Sequence, residues 1–156
     1  MDAKVIVVRR CAVAEILQAS NIAELVEEYA AESSIAGLPH PRAKMETYYG
    51  LEAAGIMAVF GAFSDGALAG FISVLTTTNP HYSVILSVSE SFFVANRYRK
   101  AGAGLKLLRV AEAHAQKVGA LGLLISSPYG GTLERILPRV GYVPSNTIFF
   151  RRFADA

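Results

Sequence analysis

Between residues 56 and 94 the chain carries three runs dense in β-branched and aromatic side chains, at 56–63, 67–77 and 83–94. Such residues suit a pleated, half-buried surface, so each run reads as a strand. Ser64-Asp65-Gly66 separates the first two and Asn79-Pro80 the second from the third, both of them turn signals. The spacing predicts an antiparallel meander. Ahead of it, residues 4–9 read as a first strand. Ile22, Leu25, Val26, Tyr29, Ala30 and Ser33 then recur at helical spacing, with Glu24, Glu27, Glu28 and Glu32 on the other face. Asn21 and Glu24 read as a capping pair at the start of this helix, and its acidic side reads as a solvated face. Gly37 and Pro39-His40-Pro41 break the chain, and a second helix is expected over residues 42–53.

After the meander a helix is expected from Gly102 to Val118. It buries Leu108, Ala111, Ala115 and Val118 and wets Lys106, Arg109, Glu112 and Gln116. Gly119 ends it, and residues 121–126 read as a strand buried on both faces. Strand, helix and strand in this order make a βαβ crossover, so strand 89–94 and strand 121–126 should run parallel. Pro128, Gly130 and Gly131 form a turn. Thr132 can then cap a short helix through Leu137, which Pro138 and Gly141 terminate. Residues 147–153 read as a last strand closing the sheet. The expected fold class is α/β: a mixed sheet, mostly an antiparallel meander, with one parallel crossover in a single domain over residues 1–156.

Composition narrows the setting. The chain has 156 residues, 53% of them hydrophobic, enough for one sizeable core. No apolar stretch reaches the ~20 residues of a membrane span, and the start lacks the pattern of a signal peptide. A net charge of +2 is too small to argue for nucleic acid. The single cysteine, Cys11, excludes an internal disulfide and a cysteine metal site. His40, His81 and His114 have no partners at ligand spacing, so no metal is expected. A cytoplasmic protein with neither membrane nor nucleic acid as partner is the expectation.

The candidate chemistry lies at residues 99–104, Arg-Lys-Ala-Gly-Ala-Gly, between the apolar run Phe92-Phe93-Val94 and the helix. Two glycines allow several N–H groups to converge, and the helix adds its unpaired first-turn amides, so the segment forms a cradle for phosphate. A dinucleotide fold is excluded, because its third glycine would fall at Leu107. The acidic residue that fold needs about 20 positions on is missing too, the next strand ending in Ser126-Ser127-Pro128. No Gly-Lys-Ser/Thr follows, which excludes a P-loop, and no Gly-x-Ser-x-Gly elbow supports a serine hydrolase.

Val94-Ala95-Asn96-Arg97-Tyr98-Arg99-Lys100-Ala101-Gly102-Ala103-Gly104 resembles the acyl-CoA-binding motif of the GNAT superfamily of N-acetyltransferases, roughly V-x-P-x-Y-R-x-x-G-x-G, with Asn96 in place of the proline. Glu90, four residues before Val94, and Gly141-Tyr142, in place of the usual Gly-Phe, extend the likeness. So does the order of meander, crossover helix and strand. The resemblance implies an acyl-CoA N-acyltransferase fold and acetyl-CoA as cosubstrate. The amides of Lys100, Ala101, Gly102, Ala103 and Gly104 would bind the CoA pyrophosphate. Phe93 and Val94 would splay from strand 121–126 to leave a slot for the pantetheine arm, with Ser126 beside it and backbone near Val94 polarising the thioester. Arg99 is either a charge partner for phosphate or a surface arginine.

Direct transfer to an amine needs that amine deprotonated and the CoA thiolate reprotonated. Glu90 is the leading base, since partial burial beside Phe92 and Phe93 would favour its neutral form. The competing reading is a strand-end carboxylate paired with an arginine. By alternation Glu90 shares a face with Phe92 and Val94. The family's acid, a tyrosine four residues before the Gly-Phe glycine, is Leu137 here, and the asparagine seven residues earlier is Gly130. Tyr129 or Tyr142 would then supply the phenol, Ser126 or Ser127 a bound water, or solvent the proton. The acceptor is expected to be a small-molecule or peptide primary amine. Its site would be built near the helical pair, from a segment holding His40, Arg42, Lys44, Glu46, Tyr48 and Tyr49. The same fold acting as a CoA-binding sensor or assembly module is the alternative. Ile148-Phe149-Phe150 either pairs with a second copy, making a homodimer, or joins the core.

Overall fold

Asp65 and Gly66 reverse the chain with φ of +50° and +80°, the positive values that a two-residue hairpin of native twist requires. They join β2 (Met57–Ser64) to β3 (Ala67–Asn79), and β4 (Val84–Val94) completes the predicted antiparallel meander. β1 (Val7–Cys11) lies antiparallel to β2, with Val7 opposite Phe63 and Cys11 opposite Val59. β5 (Leu123–Leu124) runs parallel to β4, with Leu123 opposite Ser87 and Leu124 opposite Val88. The sheet order is β1-β2-β3-β4-β5. This computed structural model describes residues 5–39 and 45–153. The predicted starts of the first strand at Lys4 and of the second helix at Arg42 lie outside the described residues, as do His40, Arg42 and Lys44.

Helices cover both faces of the sheet. Phe71 on β3 packs against Tyr29 of α2 (Ile22–Ser33), ring centroids 5.8 Å apart. Its neighbour Ile72 points to the other face, as does its cross-strand partner Phe60, which meets His114 of α4 (Ala103–Lys117) at 5.5 Å. Cover on both faces explains why β2, and β3 from Leu68 to Val74, are buried at successive rather than alternate residues. Leu25, Met57, Leu68, Ile72, Val74 and Leu107 are the largest fully buried apolar side chains among the described residues. α4 buries Leu108, Ala111 and Ala115 as predicted, and Leu107 as well. Val118 falls beyond its last turn and is exposed.

Several local expectations give way. The first strand ends at Cys11, which pairs with Val59, rather than at Arg9. A short helix not separated in the sequence pattern, α1 (Val13–Leu17), follows it. Its first amide, Val13 N, donates to Glu52 of α3 (Met45–Ala53) at 2.8 Å. Asn21 does not cap α2. Its side chain crosses instead to the start of β3, where Nδ2 donates to Leu68 O at 2.8 Å and Oδ1 accepts from Leu68 N at 3.2 Å. Gly131, not Thr132, takes the N-cap position of α5 (Thr132–Ile136), which runs on into a 3₁₀ turn ending at Gly141.

The predicted strand 121–126 shrinks to two paired residues, and it is not buried on both faces: Leu121 is 79% exposed and Leu124 is also exposed. Residues 147–153 form no strand. Phe149-Phe150 and Arg151-Arg152 break the period of two, so no single face gathers the apolar side chains. Ile148, Phe149, Phe150 and Phe153 are exposed and outside the core.

Candidate active site

Ser89 stands opposite Val74 and Ser91 opposite Ser73, which leaves Glu90 as the extra residue of a β-bulge in β4. A bulge re-aims the side chain it inserts. Alternation predicts Glu90 on the face of Phe92 and Val94, and the bulge overturns this. Glu90 joins Ser91 and Phe93 on the face of α2 and α3. Ser73 Oγ donates to Glu90 Oε2 at 2.7 Å and lies 2.6 Å from Ser91 Oγ. The single proton of Ser73 is directed at Glu90, so the Ser91 hydroxyl donates in the second contact.

From α3, Tyr48 donates its hydroxyl to Glu90 Oε1 at 2.7 Å. Burial, and then the bond to the Glu90 carboxylate, push the Tyr48 phenol well above its usual range, so it stays a donor. Tyr29, packed on Phe71 and Phe93, is raised by burial first and by Glu90 second. Glu90 itself is exposed, not partly buried as expected. Both carboxylate oxygens thus have a fixed donor while the group stays open to solvent.

Beyond Val94 the chain enters a 3₁₀ turn over Asn96–Ala101, not read from the sequence, and reaches Gly102 at φ +78°. An L side chain adopts that left-handed backbone only with strain. Gly102 is also the N-cap of α4 and has no side chain to cap it, so the first-turn amides around Ala103 and Gly104 are left for an external acceptor. Lys100 is exposed at the rim. On the sheet side, Val94 Cγ2 lies 3.7 Å from where a side chain on Gly104 would begin.

The acidic side of α2 is largely exposed, as expected, but it also contacts the segment that follows β4. Glu28 Oε1 accepts from Asn96 N at 2.7 Å, and Glu24 pairs with Arg97 at 3.7 Å. Arg99 Nη2 donates to both oxygens of Glu32 at 2.7 Å, and Arg99 Nε donates to Val94 O at 2.9 Å.

β5 pairs with β4 only at Ser87 and Val88. The Ser126 amide then donates to Ser89 Oγ at 3.1 Å. Past that point, residues 90–94 have no strand on their outer edge among the described residues. This open edge lies where the slot is expected, and it runs from Glu90 toward the glycine loop, with Ser126 where the strands part. The Phe93 ring points away from this edge and packs against Tyr29 and Phe71.

The candidate acids stand apart from this line. Tyr129 is 97% exposed on the loop after β5. Tyr142 donates to Glu112 Oε1 at 3.0 Å, and burial followed by that carboxylate pushes its phenol up. It lines a cavity of about 380 Å³ between α4 and β5, together with Leu121, Leu123 and Val140. Glu112 lies eight residues beyond Gly104, about 12 Å along the helix. Leu137 is buried and leaves no hydroxyl at the family's tyrosine position. Among the described residues no three His, Cys, Asp or Glu side chains group as metal ligands.

Sequence reasoning missed Ser73, Ser91, Glu28 and Glu32, and it gave Tyr48 no role beyond the acceptor segment. The available signal was the pair of serines set in otherwise apolar strands.

A sequence model of the acetyltransferase (GNAT) family matches residues 21–128. No curated protein sequence matches the chain. Among solved structures, a ribosomal-protein-alanine N-acetyltransferase from Brucella melitensis biovar Abortus 2308 superposes with a TM-score of 0.72 at 16% identity, covering 96% of this chain and 100% of that one. An aminoglycoside acetyltransferase from an uncultured soil metagenomic sample, solved with sisomicin, gives 0.71 at 13% identity, with 96% and 97% covered. An acetyltransferase from Trypanosoma brucei gives 0.69 at 14% identity, with 96% and 100% covered. At these identities the likeness is one of fold.

Proposed function

The chain belongs to the acetyltransferase (GNAT) family, and on that premise we propose that Glu90 is the base that takes a proton from a primary amine at the open edge of β4. Acetyl-CoA, the acyl donor of the family, supplies a thioester whose carbonyl the amine attacks directly. The residues suit such a donor. Gly102 leaves the start of α4 without a side-chain cap, Lys100 sets a cation at its rim, and no strand covers the outer edge of residues 90–94 among the described residues. The amides from Lys100 to Gly104 would hold the pyrophosphate, and backbone along Phe93 and Val94 the arm.

The observation that carries the reading is the orientation of Glu90. Its carboxylate is aimed by Tyr48 and Ser73, exposed to an incoming amine, and set on the same strand as the loop. A base held this way accepts a proton without first reorganising its donors. Solvent returns the proton to the leaving thiolate in this scheme, supported by Tyr142 being tied to Glu112 and by the apolar Leu137.

The acceptor we favour is a small-molecule or peptide amine of low charge. Recognition of a polycation needs free carboxylates, and Glu24, Glu28 and Glu32 are engaged by residues 96–99. Glu90→Gln should lower kcat/KM at neutral pH by roughly 10²-fold or more, the scale of general-base catalysis, while CoA still raises the melting temperature. A full rate across pH would remove Glu90 as base. Tyr129→Phe and Tyr142→Phe should each keep the rate, and a large loss in either would name the acid.

A further inference from the structure

We infer that Arg99 is a positioning residue clamped by α2, with Glu32 as its partner, and not a ligand for the donor's phosphates. This rests on the reading of residues 100–104 as the phosphate loop. Arg99 lies over the Phe93 ring, 5.6 Å from its centroid. Its Nε donates to Val94 O and its Nη2 to both Glu32 oxygens. The N–H groups on Nη1 remain, yet any phosphate reaching them would approach the Glu32 carboxylate as well. Lys100 has no such neighbour among its described contacts, and it is the cation left for the anion, together with the loop amides.

The clamp is wider than one pair. Glu24, Glu28 and Glu32 follow one another at intervals of four, a single stripe along the helix. They take the Arg97 side chain, the Asn96 amide and Arg99 in turn. Three successive turns of α2 therefore fix the path from the end of β4 into the loop. The inner face of the same helix carries Tyr29, which packs on Phe93 and lies within electrostatic reach of Glu90. One rigid helix thus sets the donor loop relative to the base, and transfer rates are steeply sensitive to that kind of placement. The acidic stripe therefore serves donor geometry and recognises no acceptor.

The test compares two donors on the intact enzyme, acetyl-CoA and S-acetylpantetheine, which has the thioester and arm but no phosphate. Thiol release is followed with one fixed amine. Arg99→Gln and Glu32→Gln should each lower kcat/KM by a similar factor with both donors. That factor should be roughly threefold to tenfold, the scale of one partly exposed pair. The double variant should be no worse than either single, and the exchange Glu32→Arg with Arg99→Glu should recover part of the loss. Lys100→Gln should lose activity with acetyl-CoA alone. A loss at Arg99 confined to acetyl-CoA, or additive losses at Arg99 and Glu32, would overturn the clamp while the loop reading stands. Failure of CoA to raise the wild-type melting temperature would instead overturn the loop reading, and the assignment of Arg99 with it.

Discussion

The Tyr48 hydroxyl donates to Glu90 Oε1 at 2.7 Å, tying α3 to the bulge of β4 across 42 residues of chain. Only because the bulge turns Glu90 toward the α2 and α3 face can this bond form. The proposed base is thereby oriented by a residue of α3 and not by its own strand alone.

Tyr48→Phe should therefore lower kcat about threefold to tenfold, the loss expected for one hydrogen bond to a charged group that is otherwise free to hydrate. CoA protection in a thermal melt should be unchanged. Steady-state rates and thermal melts of the variant beside the wild type check both.

Alkaline stability follows from the raised phenols, Tyr48 and Tyr142 above all. In the unfolded chain tyrosine ionises near the usual value of 10, while folded Tyr48 and Tyr142 hold their protons to higher pH. The unfolded state then binds fewer protons, so stability falls as pH rises above about 10. Tyr48→Phe and Tyr142→Phe should each flatten that decline. Urea midpoints measured between pH 8 and pH 11 read it directly.

Asn21 bridges α2 and β3 through both ends of its amide. Asn21→Asp keeps the acceptor for Leu68 N but strands Leu68 O, and Asn21→Ala strands both. Expected losses are about 1–3 kcal/mol, with alanine the worse of the two and helix content by circular dichroism preserved. Equal and negligible shifts in the urea midpoint would refute the bridge.

At Gly70, β3 lies close against the backbone of β4. A side chain there would begin 2.5 Å from Phe93 O and 3.0 Å from Val94 Cα, both of them backbone atoms. Gly70→Ala must therefore displace the end of β4, at about 1–3 kcal/mol for overpacking. Because Val94 leads into the loop, the same variant should weaken CoA protection as well. Thermal melts with and without CoA separate the two effects.

The meander is legible in the sequence because its strands are long and rich in β-branched residues, and because Asp65-Gly66 and Asn79-Pro80 are strong turn signals. The loop is legible because Gly102 and Gly104 have a positional meaning of their own. The bulge is not: its extra residue exists only relative to the pairing of β3 with β4. Nor is the clamp, since Glu24, Glu28 and Glu32 give the same periodicity whether they face water or residues 96–99. Residues 121–126 mislead for a related reason. Hydrophobic content records a tendency to be covered without saying what does the covering, and only Leu123 and Leu124 find a strand. At 147–153 the error is one of period, for the paired phenylalanines and arginines suit no pleat.

α3 buries none of its side chains completely; Glu52 holds it to α1 and Tyr48 to β4. Elements with little buried apolar surface open at low free energy, independently of global unfolding. Amides of α3 should thus exchange with deuterium well before those of α4, whose Ala103, Leu107, Leu108, Ala111 and Ala115 are buried. The two substrates accordingly meet parts of the fold with different lifetimes. On the proposed reading the donor loop would be anchored to the more persistent helix, and the wall beside Glu90 to the one that opens at lower free energy.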